Sequence, residues 1–142
     1  MERAMPPRPH ILGPRARAND APRVLILSED EELGVRLRSE LRSLLAEPWF
    51  DAYGLIDDYH ASINGDVIYD VAVYCSKPDE KPEAVRKAID RIKLFCPEPE
   101  MQIVLYSAIR YPADDRIVAI VNQPNVMELA DTIGKLLRPA AA

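Results

Sequence analysis

The side chains able to do chemistry in this chain gather around one thiol. Cys75 closes the run Asp70–Val71–Ala72–Val73–Tyr74–Cys75 and is followed by Ser76–Lys77–Pro78. A short β-branched and aromatic run ended by turn residues predicts a buried strand. The loop after such a strand is where α/β folds hold their reactive groups. A thiol there is a nucleophile if its pKa is lowered, and a following helix N-terminus with Lys77 and Lys81 nearby acts in that direction. Glu29, expected across the crevice, acts against it. Spacing removes other chemistries. A Cys-x5-Arg phosphatase needs an arginine where Lys81 stands, and an ammonium does not cradle phosphate as a planar guanidinium does. A Cys75–Cys96 disulfide fails because the helix between them spans about 20 Å and returns Cys96 to the far end of the sheet. His10 and His60 have no partners at ligand spacing, so no metal site is expected. Asp57–Asp58 and Asp114–Asp115 read as a cap and a turn.

The elements that must position Cys75 follow from periodicity. Arg23–Leu27 is a strand buried on both faces. Ser28 with Glu31 predicts a capping box, and the acids suit the positive end of a helix dipole. The helix carries Leu33, Leu37, Leu41, Leu44 and Leu45 on one face and stops before Pro48. Trp49–Ile56 is a second, edge-like strand, and Asp57–Gly65 reads as one or two helical turns. Val67–Cys75 is the third strand. Pro82 opens a helix with Val85, Ile89, Ile92 and Phe95 inward. Met101–Tyr106 is the fourth strand, ending in Ser107–Ala108, and β-branched density makes Arg116–Val121 the fifth. Asn125, with Glu128, caps a last helix that turns Val126, Leu129, Ile133, Leu136 and Leu137 inward.

Strands alternating with helices predict an α/β fold with right-handed crossovers and helices on both faces. The expected architecture is a flavodoxin-like, doubly wound parallel sheet of order 2-1-3-4-5. The loops after strands 1, 3 and 4 then converge, so Ser28, Glu29, Cys75 and Ser107 are expected to point into one crevice.

At 142 residues the chain suits one domain, read as 23–138, with a Pro/Arg-rich tail over 1–22 and a short tail over 139–142. The first tail, with Pro6, Pro7, Pro9, Pro14 and Pro22 among Arg3, Arg8, Arg15 and Arg17, is expected to be flexible, as a docking arm or a dispensable leader. A net charge of −5 without a basic field excludes a nucleic-acid partner. No apolar run reaches the ~20 residues of a membrane span. No apolar signal segment follows the arginines. Two cysteines make no disulfide framework. A cytoplasmic protein is the expectation.

From Arg23 to Leu137 the chain resembles the receiver (CheY-like) domain of bacterial two-component response regulators. The likeness rests on Arg23-Val-Leu-Ile-Leu-Ser28-Glu29, Tyr69-Asp70-Val-Ala-Val-Tyr-Cys75, Leu105-Tyr-Ser107-Ala108 and Gln123-Pro124. It implies that Ser28 and Glu29 stand where the family binds Mg²⁺, and Cys75 where it has the phosphoacceptor aspartate. Gln123 stands for its lysine, Ile120 for its switch aromatic, and Ser107 keeps the family's hydroxyl. Phosphoryl transfer to a carboxylate needs that carboxylate, a hard cation and a counter-charge. The resemblance thus implies a degenerate pocket of Ser28, Glu29, Cys75, Ser107 and Gln123, with no cofactor, no metal and no enzymatic activity. Fifteen residues separate Ser107 from Gln123, too few for the family's fourth helix and fifth strand, so that helix is expected to be shortened or missing.

The implied role is a phosphorylation-independent pseudo-receiver: a protein-interaction module in bacterial signalling or regulation. Its first and last helices, or the altered edge at strands 4 and 5, would dock a protein partner, a homodimer being one form. The alternative is a thiol-based redox or modification sensor that uses Cys75 in place of the phosphoacceptor.

Overall fold

Strands β1 (Arg23–Ser28), β3 (Val71–Cys75) and β4 (Gln102–Ser107) are buried along almost their whole length. This is what continuous runs of Val, Ile and Leu require: both sides of each strand must be covered. The computed structural model describes residues 21–54 and 68–137, and the expectations for 1–20, Asp57–Gly65 and 138–142 lie outside them. With β2 (Trp49–Tyr53) and β5 (Ile117–Asn122), the strands form one all-parallel sheet of order β2-β1-β3-β4-β5. The expected flavodoxin-like topology is the observed one. Strands begin and end a few residues from their predicted limits; β3 starts at Val71 and β2 stops at Tyr53.

Alternation along the strands divides the core into two layers. Val24, Ile26, Val71, Val73 and Val104 face helices α1 (Glu31–Leu44) and α3 (Val126–Leu137), which contribute Leu37, Leu41, Leu129 and Ile133. Leu25, Leu27, Ala72, Ile103 and Leu105 face helix α2 (Pro82–Phe95), which contributes Val85, Ile89 and Ile92.

The caps show where local chemistry decided the helix starts. Glu128 N–H donates to Asn125 Oδ1 at 3.0 Å, the Asn125 cap expected for α3, while Asn125 Nδ2 reaches Glu128 Oε1 at 3.2 Å and the Asn125 backbone N–H donates to Asn122 O. At α1 the expected cap is corrected. Asp30, not Ser28, is the N-cap, its Oδ1 accepting from Leu33 N–H at 3.2 Å. Ser28 is still in β1, beside Cys75, too early in the chain to reach the first helical turn. Between β4 and β5, residues 108–116 form an irregular connection with a turn at Asp115–Arg116 and no helix. Here Arg116 holds the connection, donating to Asp114 from Nε at 3.0 Å and from Nη2 at 2.8 Å, and reaching Asp90 on α2 with Nη1. Those bonds hold the Asp114 carboxyl down at about 2.

Helix α2 offers a direct check on the layering. Ile89→Ala removes a fully buried side chain and should cost about 2–5 kcal/mol in urea denaturation. Leu94→Ala on the same helix, at a side chain 70% exposed, should stay within about 0.5 kcal/mol of wild type.

Candidate functional site

The parallel register brings the singled-out backbone positions together. Ser28 lies beside Cys75, Cys75 beside Tyr106, and Ser107 beside Asn122, so the ends of β1, β3, β4 and β5 form one rim. Each side chain at the rim has its own surroundings. Cys75 alternates with Val73 and Val71, which sends its thiol into the apolar layer beneath α1 and α3. It is 3% exposed, and burial pushes the thiol up to about 12. Of the opposed influences weighed from the sequence, Lys77, Lys81 and the start of α2 against Glu29, neither decides: burial sets the thiol high, and the Lys77 ammonium is engaged elsewhere, 3.0 Å from Glu29 Oε1 at the surface.

Each polar group at the rim is met locally. Ser28 Oγ donates to Asp30 O at 3.0 Å and accepts from Asp30 N–H at 3.2 Å. Ser107 Oγ likewise donates to Ile109 O at 2.8 Å and accepts from Ile109 N–H at 3.1 Å. The Gln123 amide Nε2 donates to Tyr106 O at 2.7 Å and to Ser76 O at 3.3 Å, tying the end of β5 to the ends of β4 and β3. Gln123 N–H donates to Ser107 O at 2.9 Å, and the Gln123–Pro124 peptide is cis. Ile120 lies one strand away on β5 and is exposed. Ser76 Oγ is the exception, buried without a hydrogen-bond partner among the described residues.

The loop leaving β3 holds a group that the sequence reading missed. Glu80, only 8% exposed, accepts from Tyr74 O–H through Oε2 at 2.6 Å and from Lys77 N–H through Oε1 at 3.0 Å. Its backbone carbonyl accepts from Tyr111 O–H at 2.6 Å, which ties the β3–α2 loop to the β4–β5 connection. Burial, then the Glu80 bond, raises the Tyr74 phenol above its ordinary range. The local signal was an acid in the Lys77-Pro78-Asp79-Glu80 turn just before Pro82, with Tyr74 facing away from the Cys75 side.

A cation of the Mg²⁺ kind needs several free oxygen ligands. Ser28 Oγ is spent on the Asp30 backbone, Glu29 is paired with Lys77, and the side chain at Cys75 is an apolar-layer thiol. These residues do not fit such an ion. Among the described residues, no group of three or more His, Cys, Asp or Glu side chains is arranged to hold a metal. Cys75 and Cys96 lie in opposite layers.

No protein-family model and no curated protein matches this sequence. Solved structures do. A chemotaxis response regulator of Vibrio cholerae superposes with a TM-score of 0.61 at 12% identity, over 82% of this chain and 99% of its own. A response regulator from Thermotoga maritima gives 0.60 at 14% identity, over 82% and 97%. A candidate pilus assembly protein from Burkholderia thailandensis gives 0.59 at 14% identity, over 81% and 97%.

Two measurements probe the site. Glu80→Ala should cost about 1–3 kcal/mol, because it strands the Tyr74 hydroxyl, and Tyr111→Phe about 0.5–1.5 kcal/mol, both by urea denaturation. The second is stability against pH. Between the ordinary thiol value of 9.0 and about 12, the unfolded chain has lost the Cys75 proton and the native chain keeps it. Stability must fall as pH rises through that window, by at most about 1.4 kcal/mol per pH unit from this group. The buried tyrosines add a loss of the same sign, so Cys75→Ala should flatten the decline without abolishing it. The site sits on a receiver-like, flavodoxin-type fold, the architecture of the response-regulator domains it superposes on.

Proposed function

We propose that this chain is a pseudo-receiver: a non-enzymatic, phosphorylation-independent protein-interaction module of bacterial signalling or assembly, working in the cytoplasm. The observation that carries the reading is the fate of the position after Tyr74. A phosphoacceptor must present an ionised oxygen to solvent and a cation. Cys75 presents a buried thiol to Val73 and its apolar neighbours.

The surroundings support the same reading. Gln123 stands as an uncharged amide bound to two carbonyls where the family has a mobile ammonium, so this position offers no counter-charge to a phosphoryl group. Ser107 is closed on Ile109, and Tyr111 is bound to Glu80. With Ile120 in place of an aromatic and no helix between β4 and β5, the usual parts of a phosphorylation-driven switch are missing. What remains is a fixed scaffold offering α1, α3 and the β4–β5 edge. The likeness to response regulators and to candidate pilus assembly proteins supports a docking role in such a setting. The thiol-sensor alternative is not favoured, because a thiol with its pKa near 12 carries almost no thiolate at neutral pH.

Incubation of the full chain with acetyl phosphate and Mg²⁺, followed by intact mass spectrometry, tests the proposal. The expected spectrum is that of the unmodified chain. A stoichiometric phosphoryl adduct would overturn the reading.

A further inference from the structure

The β5 edge is unlike the edges natural sheets usually present. Exposed edge strands are commonly guarded by lysine, by proline or by inward charges, because their free N–H and C=O groups template pairing with another strand. Ile117–Asn122 contains neither a charge nor a proline. Val118 and Ile120 are 47% and 40% exposed on it. The connection that precedes it forms no helix to shield this edge.

The hydrogen bonds available there can be assigned. Gln123 N–H donates to Ser107 O, so it faces β4. Backbone groups alternate sides along a strand, so those of Ala119 and Val121 also face β4 and those of Ile120 and Asn122 face away. The register shift at Ile103/Val104 makes Val118 the extra residue of the strand. Asn122 O already accepts from Asn125 N–H at 2.8 Å, which closes the strand.

We propose that a second copy of this chain pairs with β5, antiparallel across a twofold axis at Ile120, joining the two sheets into one. This rests on the reading of the β4–β5 edge as a docking face and names its occupant. Around that axis Ile120 exchanges both backbone hydrogen bonds with the partner's Ile120. Asn122 N–H donates to the carbonyl of the partner's Val118, and Pro124 ends the ladder. The interface is isologous and closes on itself. It places Ile120 against the partner's Ile120 and Val118 against the partner's Asn122, so no like charges meet although the chain carries −5. The opposite edge fails the same test: a twofold at the centre of Trp49–Tyr53 would set Asp51 against its own copy. A second copy therefore meets no charge at β5, whereas at β2 it meets Asp51, which is held by Arg23 at 3.2 Å and Tyr69 at 2.7 Å.

Light scattering on the full chain should give twice its 16.0 kDa mass at micromolar concentrations. Ile120→Pro removes only an outward-facing N–H, and Ile120→Lys adds a charge at the axis. Each should leave the circular dichroism of the fold intact and reduce the mass to that of one chain. In the wild type the Ile120 and Asn122 amides should exchange slowly with deuterium, and in Ile120→Lys quickly. A wild-type monomer, a dimer that survives both substitutions, or freely exchanging Ile120 and Asn122 amides would overturn the pairing. A monomer that takes no phosphoryl group would remove the dimer and leave the pseudo-receiver reading intact. A phosphorylated dimer would do the reverse.

Discussion

Burial of β3 on both faces is the constraint on which the rest of the molecule depends. Each of its residues, Val71 to Cys75, is withdrawn from water, so helices must cover the sheet on both sides. A strand in that position can only be central, with β1 and β4 beside it and parallel crossovers leading in and out. The loops at its carboxyl end must then meet. The same burial decides what they can do. A side chain at the end of a doubly covered strand belongs to one layer or the other, and period-two alternation gives Cys75 to the layer under α1 and α3. Its neighbour Tyr74 goes to the opposite layer, where it finds Glu80.

Closure of the rim follows from the cost of leaving polar groups unpaired in such a place. Ser28 and Ser107 each close on the backbone two residues ahead, and Gln123 spreads one amide over two strand-end carbonyls. Neutral, short-range hydrogen bonds thus meet Ser28, Ser107 and Gln123 at the rim. Farther out, Glu80 and Tyr111 join the β3–α2 loop to the β4–β5 connection, and Arg116 joins that connection to α2. Together these bonds hold the loops in place without a helix between β4 and β5.

Sheet order and helix faces were legible in the sequence because they rest on local periodicity: the apolar runs of β1, β3 and β4, and the Val85–Ile89–Ile92 stripe. The missing helix was legible in the short stretch from Ser107 to Gln123. The rim residues could be placed by position, but the layer that takes Cys75 could not. Whether Cys75 faces solvent or core depends on the phase of a strand, and a one-residue change of phase reverses the answer. Ser28 as a cap was wrong for a similar reason, since β1 runs one residue farther than Arg23–Leu27 suggested. The Glu80 carboxylate binds local partners, Tyr74 and Lys77, but the bond from Tyr111 to its carbonyl spans 31 residues, and no local pattern announces a contact of that range.

In the proposed reading the rim is closed and has no place for a cation and a phosphoryl group. Amide spectra of the labelled chain, titrated with Mg²⁺ and the phosphoryl mimic beryllofluoride, test it most directly. The account predicts that the Glu29, Ser76, Ser107 and Gln123 resonances stay fixed throughout the titration. Saturable shifts at those residues would contradict it.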